Sequence, residues 1–232
     1  MIQTSCLVLH SIKFKEHDRI YTLFTRERGK VQARGRGVRK INSKIGPHLQ
    51  PLSIIDIQLV EGREWYTITG AHNTSLIFQI SSNILEVSMF VSEILKKSLP
   101  EEEPLESFFD TLQELLPILL NKQHPLLFQK ALFLMQYLKH TGHAPELCEC
   151  LHCHKEKDQY CFDIKHSGIV CHQCSGNHSQ SHEMFVYHLK NLYELDRIDS
   201  SKELHPEQVQ YLYNTMETLF YQAFAINLKI KK

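Results

Sequence analysis

Cys150-Leu-His-Cys153 and Cys171-His-Gln-Cys174, with seventeen residues between the pairs, are the residues here whose spacing carries the most specific chemistry. A Cys-x2-Cys pair brings two thiolates from one tight turn to a single ion. A second pair completes a tetrahedral four-sulfur shell for Zn2+, and the intervening length suits it. Between the pairs, Tyr160-Cys-Phe-Asp-Ile and Gly168-Ile-Val read as the two short strands of a zinc ribbon. A closed four-ligand site has no open position for water, so this zinc is expected to support folding and do no catalysis. Cys148, Cys161, His152, His154 and His172 are each spaced to replace one of the four, and the pattern leaves that open. A redox reading needs a thioredoxin-like βαβ context, whereas here one pair follows a helix and the other a short strand.

The second chemical feature is charge. The chain is neutral overall, but residues 1–50 hold eleven Lys or Arg against only Glu16, Asp18 and Glu27. The remainder is correspondingly acidic, and such asymmetry points to a polyanion-binding face on one part only. From Arg26 to Lys44 the single acid is Glu27. Arg34-Gly-Arg-Gly-Val-Arg39-Lys40 lets the backbone approach a phosphate while guanidinium groups fork onto its oxygens. Arg34, Arg36 and Arg39 are the first candidates for DNA phosphate contact, followed by Lys40, Lys30 and Lys44. Phe14, Tyr21, Phe24, Trp65 and Tyr66 could stack bases, although a lone aromatic in a barrel is expected in its core. No P-loop, Gly-x-Gly-x-x-Gly, His-Glu-x-x-His or Gly-x-Ser-x-Gly match occurs, so the chain is expected not to be an enzyme.

These features need elements to position them. Apolar, β-branched segments at Cys6–Ile12, Ile20–Phe24, Val31–Ala33, Leu52–Val60 and Trp65–Ala71 alternate with polar or Gly-containing turns. Five strands in this length suit a small closed barrel such as an OB-fold, and an SH3-like barrel fits the same pattern. From Ile80 the texture is helical, with an apolar stripe ending at Leu99-Pro100. Leu105–Leu120, which Pro117 should kink or shorten, and Leu126–His140 follow, and Phe185–Leu195 and Pro206–Leu228 lie beyond the cysteines. The expected architecture is multi-domain α+β: a barrel over 1–78, then a helical domain over 79–232 with a zinc loop inserted at 148–176. No apolar run suits a signal peptide or a membrane span, so a cytoplasmic protein is expected.

The residues also resemble the bacterial recombination mediator RecO family over nearly the whole length. The carrying segments are Leu7-Val-Leu9, Glu16-His-Asp-Arg-Ile-Tyr-Thr-Leu-Phe-Thr-Arg-Glu-Arg-Gly-Lys30, Ala33-Arg-Gly-Arg-Gly-Val-Arg39 and Lys44-Ile-Gly-Pro-His-Leu-Gln-Pro-Leu-Ser53. Downstream, Gly142-His-Ala-Pro-Glu-Leu147, the paired cysteines and Gly168-Ile-Val-Cys171 are similar to that family's zinc region. The order and spacing make the resemblance specific. It implies an N-terminal OB-fold, an all-helical second domain and a zinc ribbon. It also implies binding of single- and double-stranded DNA, annealing of strands coated with single-strand binding protein, and help for RecR in loading RecA, all without ATP hydrolysis. The acidic C-terminal tail of single-strand binding protein would dock on the helical domain, and the place of action would be the bacterial nucleoid. Arg36-Gly-Val-Arg39 stands where the family often has Lys-Gly-Ala-Arg. Cys148, Cys161 and His154, the last where a glycine is usual, are further departures. An RNA-binding module built from a basic barrel and a zinc ribbon is the alternative reading, and equal or better affinity for RNA would favour it.

Overall fold

A computed structural model of the chain describes residues 1–73, 82–120, 124–176, 183–194 and 204–228. The expected helix bounds Ile80 and Leu195 lie outside the described residues. The chain forms two compact units, Met1–Leu120 and Asn121–Lys232.

In the first unit, β1 (Ile2–Phe14), β2 (Asp18–Thr25), β3 (Gly29–Gly35), β4 (Ile54–Val60) and β5 (Tyr66–Asn73) close a barrel in the order β1-β2-β3-β5-β4. All pairings are antiparallel except β3–β5, where Ala33, Arg34 and Gly35 face Tyr66, Thr67 and Ile68 in parallel register. This is the OB type of barrel. Its interior holds Cys6, Val8, Tyr21, Leu23, Val31, Ala33, Ile55, Ile57 and Leu59. The unbroken apolar run Cys6–Leu9 is buried throughout, as a strand covered on both faces must be. The cover on β2 comes from helix: Phe24 packs against Phe108 and Phe109, with ring centroids 6.0 and 5.5 Å away.

Those phenylalanines belong to α2 (Glu106–Leu119), which follows α1 (Ser82–Ser98). Pro117 sits in the last turn of α2, where the helix ends two residues later. The connection between the helices docks on the β2–β3 turn. Glu102 donates its backbone N–H to the Lys30 carbonyl at 2.9 Å. A side chain on Gly29 would meet the Glu103 carbonyl oxygen at 2.1 Å, and Gly29 has φ +65°, so only glycine suits the position. The expected division near residue 78 falls between β5 and α1, while packing carries the first compact unit on to Leu120.

The second unit is built around α3 (Leu126–His140), whose residues from Phe128 to Leu138 are all buried. It packs against α5 (Glu183–Tyr193) and α6 (Pro206–Phe224). The polar groups of α3 are used at a helix end. The Gln136 amide donates to the Leu192 and Tyr193 carbonyls, and Lys139 Nζ donates to Tyr193 at 3.0 Å, so α3 caps the C-terminus of α5. The antiparallel pair β6 (Tyr160–Asp163) and β7 (Gly168–Cys171) runs into the single-turn helix α4 (His172–Ser175). No helix among the described residues is long and apolar enough to cross a membrane.

Candidate functional site

The sulfur cluster follows from this local fold. Glu146 and Leu151 bond to the β7 end of the hairpin: Ile169 donates its N–H to the Glu146 carbonyl, and Leu151 donates to Ile169. That pairing sets the turn Cys150–Cys153 beside Cys171, where β7 passes into α4. The Sγ atoms of Cys150, Cys153, Cys171 and Cys174 all lie within 4.8 Å of one another, and Cys153 and Cys171 are 3.9 Å apart. Zn–S bonds of about 2.3 Å arranged tetrahedrally put sulfurs about 3.8 Å apart, so the four could hold a zinc ion. Cys150 and Cys171 are buried and Cys174 is exposed. Burial raises the Cys150 thiol, but backbone N–H groups of Cys171, Cys153 and His152 outweigh it and bring the thiol down to about 6. Those N–H···S bonds favour the thiolate that a metal requires.

Cys148 and Cys161 are not in this group. The Cys161 thiol donates to the Val170 carbonyl across the hairpin, and Cys148 is exposed with its N–H on Glu146. His154 adopts φ +53°, the left-handed geometry that explains why a glycine suits this position, and its imidazole rests 3.0 Å from Glu149.

The basic segment is divided by the fold. Lys30, offered above as a phosphate contact, is only 7% exposed; its Nζ donates to the Lys96 carbonyl at 2.9 Å and pairs with Glu101 at 3.3 Å. The ammonium closes the end of α1, which removes Lys30 from the candidates. Arg26 is likewise engaged, by Asp110 and Glu106 at the start of α2.

Beyond Arg34 the cations are exposed. Arg36, Arg39, Lys40 and Lys44 are all exposed in the β3–β4 connection. Arg36 and Lys44 make no side-chain hydrogen bond or ion pair among the described residues, whereas Arg39 donates to the Glu16 carbonyl at 2.7 Å. Arg34 projects from β3 and donates from Nε and Nη2 to one oxygen of Asp18, at 2.9 and 2.5 Å. The other Asp18 oxygen takes the Gly37 N–H at 2.8 Å. Asp18 thereby ties the Arg-Gly-Arg-Gly turn to the start of β2. The Gly37 N–H and then the Arg34 guanidinium hold its carboxyl below the usual carboxylate range.

Sequence reasoning missed Asp18, whose one visible signal was being an acid beside the basic run. Asp18→Ala is expected to destabilise the first unit by about 1–3 kcal/mol in denaturant unfolding at neutral pH. Because the folded carboxyl titrates below its unfolded value, this contribution is present above the ordinary carboxylate range and lost as pH falls through the depressed value. The difference between variant and wild type should therefore shrink in acid.

The five aromatics separate. Tyr21 and Phe24 are buried, Tyr66 is half-buried against the barrel core, and Phe14 and Trp65 are half-buried outside that core. Phe14 and Trp65 meet edge to face at 5.3 Å, and the Arg34 guanidinium lies 5.2 Å from the Phe14 ring centre.

Comparisons with known proteins agree with this geometry. The family model described as "Recombination protein O N terminal" matches residues 1–76, and "Recombination protein O C terminal" matches residues 85–217. A DNA repair protein RecO of Alkaliphilus metalliredigens is 24% identical over 231 residues, covering 98% of this chain and 94% of the relative. One of Thermobifida fusca is 31% identical over 173 residues, covering 72% and 71%. A third, of Dehalococcoides mccartyi, is 30% identical over 176 residues, covering 74% and 69%.

Proposed function

The chain belongs to the recombination protein O family and so has a role in DNA repair and recombination; from that premise we propose that it binds DNA through the β3–β4 face of its barrel and acts as a mediator rather than a catalyst. The observation that carries this reading is the placement of Arg36, Arg39, Lys40 and Lys44, all exposed in one connection of an OB barrel. Exposed cations on such a surface exchange condensed counterions for phosphate contacts, which suits both single- and double-stranded DNA. A protein that neutralises two strands at once lowers their repulsion, and that is the physical basis of annealing. Within the same reading the partners are RecR, RecA-loading intermediates and the acidic tail of single-strand binding protein, and the chain works in the cytoplasm at the nucleoid. The ion held by Cys150, Cys153, Cys171 and Cys174 is zinc, bound for structure.

The test is fluorescence anisotropy of labelled single-stranded DNA, duplex and RNA of equal length at 50 and 200 mM salt, followed by timed annealing without ATP. DNA affinity is expected to fall by at least about tenfold between the two salts, since several phosphate contacts are released together. Complementary strands should anneal faster with the protein than without it. Absent DNA binding would overturn the reading, and tighter binding of RNA would move the function to an RNA-binding module.

A further inference from the structure

Resting on the reading that the barrel binds single strands, we propose that Phe14 and Trp65 form a stacking site for one unpaired nucleobase, with Lys15 and Arg34 facing the phosphates beside it. Two large rings left half in water at the end of β1 and the start of β5 are the informative exception on a barrel that buries Tyr21 and Phe24. The edge-to-face contact, 5.3 Å between centres at 80°, fixes the indole against Phe14 and leaves little ordering to be done when a base arrives. Cations surround the same ring: Lys15 Nζ is 5.6 Å and the Arg34 guanidinium 5.2 Å from the centre of Phe14. Arg34 is itself held by Asp18, so its position is set before any ligand binds.

Placement in the fold supports this. Lys15 lies in the β1–β2 turn and Trp65 at the end of the β4–β5 turn, the two loops with which OB barrels grip oligonucleotides. Trp65 also lines a cleft of about 320 Å3 with Tyr66, Arg63 and the carboxylates Glu61, Glu64, Glu101 and Glu102. With Glu101 paired to Lys30, Glu61, Glu64 and Glu102 against Arg63 still leave the cleft net acidic, so the backbone of a bound strand keeps to the Lys15–Arg34 side and its base turns toward the indole. A stacked base needs no particular hydrogen bonds, so the site accepts any sequence but only unpaired bases.

Trp65 is the single tryptophan of the chain, so its emission reports on the site directly. Intrinsic fluorescence and anisotropy would be followed together while wild-type protein is titrated with a thymidine oligonucleotide, an abasic oligonucleotide of the same length, and a duplex. The thymidine strand should quench Trp65 in step with binding, while the abasic strand and duplex bind without quenching. Trp65→Ala should weaken thymidine-strand binding about tenfold and leave abasic binding unchanged. Trp65→Phe, which keeps a ring and guards against a folding defect, should retain most of the affinity. Binding with no quenching, together with full affinity in Trp65→Ala, would overturn the stacking site while leaving the barrel as the DNA face. Anisotropy showing no DNA bound at all would overturn both.

Discussion

The Arg34/Arg36/Arg39→Ala variant is expected to bind single-stranded DNA about 100-fold more weakly than wild type at low salt, a loss equal to about two charge-assisted contacts of about 1.5 kcal/mol each, since Arg34 and Arg39 are already partly engaged within the protein. Its log-affinity should also depend less on log-salt, with a slope shallower by about 2, since three fewer phosphates release counterions. The three positions are unequal. Arg36 is exposed without a partner among the described residues, whereas Arg39 shares its guanidinium with the Glu16 carbonyl and Arg34 is held by Asp18. The Arg36/Arg39→Ala double variant should therefore account for most of the loss while leaving the Asp18 tie intact. This separates lost contacts from a collapsed loop. Anisotropy at several salts checks it, and a triple variant that binds as tightly as wild type would show the basic connection to be only a solvated surface.

Loss of the metal is expected to have the larger effect on stability. Cys150→Ser removes a buried thiolate that receives N–H groups from His152 and Cys171, so it should abolish metal binding and destabilise the second unit by more than about 4 kcal/mol. Cys174→Ser removes the exposed corner of the same cluster, where water can take the fourth position, and should cost less. Stoichiometric metal analysis with calorimetric melting tests both variants, and treatment of wild type with a chelator should lower the melting temperature as Cys150→Ser does. A soluble Cys150→Ser protein with unchanged melting would contradict a structural metal.

Several of these elements were legible in the sequence because their causes are local. Two Cys-x2-Cys turns are short enough to form wherever they occur, and the short apolar segments Tyr160–Asp163 and Gly168–Cys171 pair as a hairpin. Leu126–His140 carries its own stop at Gly142, and Pro206 opens its helix at the first position as expected. The five barrel strands could be counted for the same reason, although the choice of an OB barrel over an SH3-like one rested on the non-local parallel pairing of β3 with β5.

What a side chain faces is decided by partners far away in the chain, and there the sequence alone was insufficient. Lys30 and Arg36 look alike as members of one basic run, yet an α1 carbonyl and Glu101, some seventy residues on, claim the first and leave the second open. Phe14 and Phe24 are both aromatic residues at strand ends, but α2 covers only Phe24. Asp18 acquires its role because β2 and β3 pair, bringing a lone acid to the turn that presents the arginines. Spacing determined which residues could form a turn, a strand or a metal knuckle. Only the closed barrel and its covering helices determined which charges and rings remained for a ligand, because burial is a property of neighbours and not of residue type.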